Sequence, residues 1–266
     1  MTFQTRRTPL RLAAASALAA CALLLAGAPS AQAPATPLSP EAAAIKKLLE
    51  QKLPGATVKG VTKTPYFGLY EVQLEEQLIY TDAKANYLLI GSVYDTNTKK
   101  NLTELRQREL NRVAWDSLPF DLAFKRVKGN GERKLVIFSD ADCPFCARLE
   151  QELKSVDNVT IYTFLYPIDS LHPDAARKSR MIWCSADRVK AWNEFFATGA
   201  LPDNNGDCDN PVVATSALGQ KLKVAATPTL VFADGSVVPG ALPAQQIESE
   251  FAQAATVLAK TSAAKK

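Results

Sequence analysis

Cys143 and Cys146 are the residues of this chain best suited to covalent chemistry, in the run Ser139-Asp140-Ala141-Asp142-Cys143-Pro144-Phe145-Cys146. Two thiols at that spacing can exchange an electron pair with another disulfide: one thiolate attacks, a mixed disulfide forms, and the second thiol is close enough to resolve it. The motif lies between an apolar run, Leu135-Val136-Ile137-Phe138, and an amphipathic one, Ala147 to Val156, which predicts a strand, a turn and a helix. With Cys143 as the helix cap, Pro144 takes the first helical position, where its missing N–H costs nothing. Cys146, Leu149, Leu153 and Val156 then share one face directed at the core, so Cys146 is the sheltered sulfur. Cys143 is expected at the exposed helix tip, where free N–H groups and the positive end of the helix dipole favour a thiolate. On this reading Cys143 is the nucleophile and Cys146 the resolving thiol. Release by a freed substrate thiol isomerises the substrate, whereas release by Cys146 reduces it; the same residues serve both outcomes.

The surroundings of the motif bear on its reactivity. Asp140 and Asp142 oppose a thiolate, Arg148 near the first turn could offset them, and the net direction is not legible from the residues alone. Phe145 is a candidate apolar contact for substrate. A zinc site would need four ligands, and only the widely separated Cys184 and Cys208 and the single histidine, His172, remain to supply them. A purely structural disulfide is the other reading, opposed by the strand–turn–helix setting and by Ala226-Thr227-Pro228-Thr229, which leads into Leu230-Val231-Phe232. Thr227-Pro228 fits either a cis bond in a tight turn or an ordinary trans proline at a strand start. A cis-proline loop beside the cysteines would offer backbone groups to an extended substrate peptide. Cys184 and Cys208 read most simply as a structural disulfide, with a regulatory redox role as the alternative. His172, in Leu171-His172-Pro173, reads as a surface or loop histidine rather than a general base.

The elements that must position these residues alternate in type. Candidate strands are 122–127, 135–138, 159–166 and 229–233; candidate helices are 144–156, 174–196, 211–222 and 243–259. This alternation predicts a central sheet covered by helices. Before it, Leu102 to Ser117 has helical spacing with many charges, as a connecting helix would. Further upstream, Ser39-Pro40-Glu41 opens a helix that stops at Pro54-Gly55. Tyr70, Val72 and Leu74 alternate with Glu71, Gln73 and Glu75 as a half-buried strand should. Leu78 to Tyr80 and Tyr87 to Tyr94 read as two further strands. So small a unit is marginal alone, and its outer strands must be covered. Dimerisation and packing against its own catalytic domain both answer that need.

Composition sets outer bounds. The chain has 266 residues, 47% hydrophobic, and a net charge of +4, enough for one sizeable core and a small second domain. Arg6, Arg7 and Arg11 precede the apolar run Leu12 to Leu25 and the small-x-small site Ala31-Gln32-Ala33, the pattern of a secretory signal peptide. Thr5-Arg6-Arg7 faintly resembles a twin-arginine signal, and Leu18-Ala19-Ala20-Cys21 fits a lipoprotein box whose apolar run nonetheless continues past Cys21. Removing the three arginines leaves +1, so no basic stripe argues for nucleic acid. The remaining four cysteines suit two disulfides in an oxidising compartment.

Together these residues resemble the bacterial periplasmic disulfide isomerases of the DsbC family. The stretches that carry the resemblance are Ile79-Tyr80-Thr81-Asp82, Gly91-Ser92-Val93-Tyr94-Asp95, Phe138-Ser139-Asp140 with its Cys-x-x-Cys, Ile182-Trp183-Cys184, Thr227-Pro228 and Gly235-Ser236-Val237-Val238-Pro239-Gly240. The resemblance implies an α/β thioredoxin-like catalytic domain with an inserted helical region, plus a small α+β N-terminal dimerisation domain joined by a linker helix. The corresponding boundaries are 1–33 for the signal peptide, 34–101 for the dimerisation domain, 102–118 for the linker helix, 119–262 for the catalytic domain and 263–266 for a disordered tail. It also implies a periplasmic homodimer that acts on misfolded disulfide-containing exported proteins, with accompanying chaperone activity. A membrane thiol reductant of the DsbD type would keep the active pair reduced, and no metal or organic cofactor is involved. The family roles fall on Cys143 and Cys146 as the redox-active pair, on Thr227, Pro228 and Phe145 as substrate contacts, and on the Cys184–Cys208 bridge. One departure stands out: Pro144-Phe145 replaces the Gly-Tyr of the best-known isomerases, and Pro-aromatic dipeptides also occur in the related DsbG proteins. A DsbG-like reductase protecting single cysteines, or a chaperone whose dimer cleft dominates, are the alternative functions.

Overall fold

The computed structural model describes residues 38–75 and 77–264. The expected signal peptide and the last two residues of the expected tail lie outside them. Helix α1 (Pro40–Lys52) begins where Ser39 accepts a hydrogen bond from the Ala42 N–H at 3.2 Å and Pro40 opens the first turn. Its buried face, Ala42, Ile45 and Leu49, packs on an antiparallel meander of β1 (Gly60–Lys63), β2 (Tyr70–Gln73), β3 (Leu78–Thr81) and β4 (Leu88–Leu89). Val61, Tyr70, Val72 and Ile79 complete this small core.

Two expectations for this unit need correction. Glu71 does not face solvent: it is buried, and its Oε1 accepts from Arg106 Nε at 3.0 Å. A long-range partner has overridden the alternation. The 87–94 stretch is not one strand. It divides into β4 and β5 (Tyr94–Asp95), and β5 pairs instead with β6 (Lys100–Asn101) in a separate ribbon.

The connecting helix α2 (Leu102–Leu110), capped by Asn101, is shorter than the expected 102–118. The chain leaves it at Asn111 because Val113 and Leu118 turn into an apolar cluster with Val136 and Phe138 of the second sheet. The Val113 N–H donates to Gly235 O at 2.8 Å. Gly235 has φ +84°, and a Cβ there would run into the Val113 carbonyl, so this docking requires glycine.

The second sheet contains β7 (Phe124–Lys128), β8 (Arg133–Ser139), β9 (Val159–Leu165), β10 (Thr229–Phe232) and β11 (Val237–Pro239) in the order β11-β10-β8-β9-β7. Only β8 and β9 are parallel. Helices α3 (Pro144–Glu152), α4 (Ala175–Trp183), α5 (Arg188–Thr198), α6 (Val212–Lys221) and α7 (Ala244–Ala264) accompany it. The single helix expected over 174–196 is two: Cys184 ends α4, and the Asp187 side chain caps α5 by accepting from Lys190 N. Helix α7 runs through Ala264, so the expected tail does not begin at 263. Beneath α3 a buried cluster fixes the helix: Arg126 donates to both oxygens of Glu150, at 2.6 and 2.8 Å, and Trp192 Nε1 donates to Glu150 Oε1 at 2.9 Å.

Candidate active site

Strand register assembles the site. The antiparallel pairing of β10 on β8 sets Thr229 opposite Phe138, which carries the preceding Thr227-Pro228 to the end of β8 from which the cysteine turn leaves. The parallel pairing of β8 with β9 sets Ser139 opposite Leu165, bringing the segment after β9 to Asp140. Thus three segments far apart in sequence meet at one end of the sheet. The Thr227-Pro228 peptide is cis.

Cys143 is the N-cap of α3 and Pro144 its first residue, as the local sequence predicts. Cys146, Leu149, Leu153 and Val156 are all buried, so the expected inward face is present. Cys143, however, is only 4% exposed, which corrects the expectation of an exposed tip. The loop at Thr227 covers it: Cys143 Sγ lies 3.3 Å from Thr227 O, and Thr227 is itself buried. Phe145 is 59% exposed beside it.

The two free thiols are driven in opposite directions. The Cys143 thiol is lowered to about 5, first by the hydrogen bond from the Cys146 thiol, with further help from Thr227 and the N–H groups of Cys146 and Phe145. Donors at a helix start stabilise the thiolate directly. Cys146 is pushed strongly upward, first by burial and then by its thiolate neighbour. One sulfur is therefore charged and nucleophilic near neutral pH while the other holds its proton.

Asp140 organises this turn. Its N–H donates to Cys146 Sγ at 3.4 Å and its carbonyl accepts from Cys143 N at 3.3 Å. Its carboxylate accepts from Asp142 N and Ile168 N, each at 2.8 Å, and meets His172 Nδ1 at 2.9 Å. The cations that reach the two carboxylates are thus His172 on Asp140 and Lys178 on Asp142, rather than Arg148. His172 is a partly exposed loop histidine, as expected, and its ring also bonds the active-site turn at Asp140. Nothing local in Leu171-His172-Pro173 signals that contact, which depends on the β8–β9 register. Cys184 and Cys208 form a disulfide, as expected, from the end of α4 to an exposed loop.

Comparison with known proteins agrees with this geometry. A thioredoxin-like domain model matches residues 120–255, and the disulfide bond isomerase N-terminal domain model matches residues 35–104. A probable thiol:disulfide interchange protein DsbC from Bordetella parapertussis is 43% identical, covering 84% of this chain and 77% of the relative. The chain belongs to the DsbC family. The Escherichia coli thiol:disulfide interchange protein DsbC is 24% identical over 77% of this chain and 85% of its own. A disulfide interchange protein from Neisseria gonorrhoeae, solved by crystallography, is 46% identical, covers 51% of this chain and 97% of its own, and superposes with a TM-score of 0.49. As a DsbC-type protein the chain is a thiol–disulfide oxidoreductase with a thioredoxin-like domain and a DsbC N-terminal domain. Among the described residues no helix is long and apolar enough to cross a membrane.

Proposed function

We propose that the protein is a periplasmic disulfide isomerase working as a homodimer, with Cys143 as nucleophile and Cys146 as resolving thiol. The opposite displacement of the two thiols carries this reading, because it separates the attacking sulfur from the waiting one. The Cys143 thiolate attacks one sulfur of a substrate disulfide; a new S–S bond forms, the substrate bond breaks, and the electron pair leaves on the other substrate sulfur. If a different substrate thiolate then attacks the substrate sulfur of the mixed disulfide, a new substrate S–S bond forms, the bond to Cys143 breaks, and Cys143 returns as thiolate with the substrate reshuffled. If Cys146 loses its proton and attacks first, the substrate leaves reduced and the Cys143–Cys146 pair is oxidised. A membrane dithiol reductant of the DsbD type then returns the pair to its reduced form.

Thr227 and Pro228 border the sulfur and, with exposed Phe145, form the surface on which an extended segment of a misfolded exported protein is held. The N-terminal domain supports dimerisation and chaperone-like holding through its apolar edge: Leu88 and Leu89 of β4, an outer strand of its sheet, are exposed together with the flanking Tyr87 and Ile90. An uncovered apolar edge invites pairing with another chain. Sedimentation of the chain lacking residues 1–33 tests the dimer, and a monomer at micromolar concentration would remove it. Refolding a scrambled protein with several disulfides tests the activity: Cys143→Ala should abolish rescue. A chaperone reading, in which the cleft does the work, expects little change in that variant. The Pro144-Phe145 dipeptide favours one second reading, a DsbG-like reductase, which would reduce a lone oxidised cysteine faster than it rescues scrambled protein.

A further inference from the structure

Asp140, Asp142 and Asp174 around the active turn each meet a cation, and the match at Asp140 is unusual. Asp142 pairs with Lys178 of α4, and Asp174 pairs with Arg177 and Lys178 of the same helix. All of these groups are partly open to solvent. Asp140 is 0% exposed, and among the described residues the cation bonded to it is His172. The same residue holds both active cysteines through its main chain. A buried carboxylate so close to a thiol disfavours the thiolate by like-charge repulsion, yet Cys143 must be a thiolate to attack.

We propose that His172 is a positioning residue for the exchange reaction: as an imidazolium bonded to Asp140, it cancels the charge that would otherwise oppose the Cys143 thiolate. The inference rests on Cys143 being the nucleophile. No electrons move in this step; the proton lost by Cys143 goes to water, and His172 keeps its own. The ring is suited to the task because its side chain is 21% exposed, which lets it exchange protons with solvent, while Nδ1 is held by a buried oxygen. The charged groups acting on it are Asp140 and Asp142 from the turn and Cys143 at the N-cap of α3, while Asp174 at the N-cap of α4 is held by Arg177 and Lys178 of that helix. The hydrogen bond to Asp140, followed by the charges on Asp140, Cys143 and Asp142, holds its pKa above the ordinary histidine value. His172 therefore carries its charge below that raised value and loses it as pH climbs past it. The compensation is full well below that raised value and fades as pH passes it, which makes the redox poise of the pair pH-dependent through a residue outside the Cys-x-x-Cys.

The test is the pH dependence of iodoacetamide alkylation at Cys143 in the reduced full-length protein, located by mass spectrometry. His172→Asn and His172→Gln keep an amide donor for Asp140 but remove the charge. Each should raise the alkylation midpoint by about one pH unit, the low end of the shift expected from one nearby charge. His172→Arg, which keeps a cation, should leave it low. In an Asp140→Asn background, His172→Asn should have no further effect. A midpoint unchanged in both neutral variants, or the same rise in the Asp140→Asn background, would overturn the role given to His172 while leaving Cys143 as nucleophile. A wild-type midpoint at the ordinary thiol value would remove the proposed function as well.

Discussion

Cys143 and Cys146 are separated by a proline and a phenylalanine at the start of a helix, and both are free thiols; Cys184 and Cys208 join the end of another helix to an exposed loop and are bonded. The first pair is buried, surrounded by donors, and split into one acidic thiol and one that keeps its proton. The second closes a long loop outside the central sheet. The same side chain thus serves as a reagent in one place and as a staple in the other. What separates them is the environment of the reduced state. Where hydrogen bonds stabilise a thiolate, the reduced form is favoured and the disulfide is easily opened. Where nothing does so and a loop must be closed, the bonded form dominates.

The sharpest way to break this comparison is to remove one member of each pair. Cys143→Ala should abolish isomerase and reductase activity, measured by rescue of scrambled protein and by reduction of a model disulfide. Cys146→Ala should instead accumulate mixed disulfides with substrate, visible as high-mass species on a non-reducing gel. Cys184→Ala with Cys208→Ala should cost about 3.5 kcal/mol of stability in the chain-entropy model, read by urea unfolding, with the alkylation midpoint of Cys143 unchanged. If that midpoint moved, the two pairs would be coupled and the contrast lost.

Acid sharpens the contrast further. The Cys143 thiol is lowered to about 5, so its ionisation stabilises the folded reduced protein fully above the ordinary thiol pKa. That contribution disappears as pH falls through about 5. The reduced protein should accordingly gain stability relative to the oxidised one between about pH 5 and pH 8. Equal stability profiles for the two forms would contradict an acidic Cys143. The smallest effect is expected from Phe145→Ala, which should raise KM for a protein substrate about threefold without shifting the alkylation midpoint, as loss of one partly exposed apolar contact would.

Local pattern made much of this legible. The strand, turn and helix around Cys143, the inward face of α3 and the first strands of the N-terminal meander follow from short-range periodicity and turn chemistry, whereas the residues left Thr227-Pro228 open between cis and trans. Failures came where a distant partner overrode it. Glu71 lies where alternation puts a solvent-facing residue, but Arg106 buries it. The 174–196 run has continuous helical spacing, but the chain turns at Cys184, the residue bridged to Cys208. The connecting helix ends early because Val113 and Leu118 find an apolar surface that no local window contains.

Residue types and spacing by themselves determined that this chain carries an exchange-competent pair of thiols at the mouth of a helix, since cap position, proline placement and helical period are properties of a few consecutive residues. That Cys143 is covered as well as Cys146, what covers it and which cations meet the acids beside it were decided only by tertiary structure. Those features depend on strand register, which brings Thr227, Ile168 and His172 to Cys143 and Asp140 from segments that share no local signal.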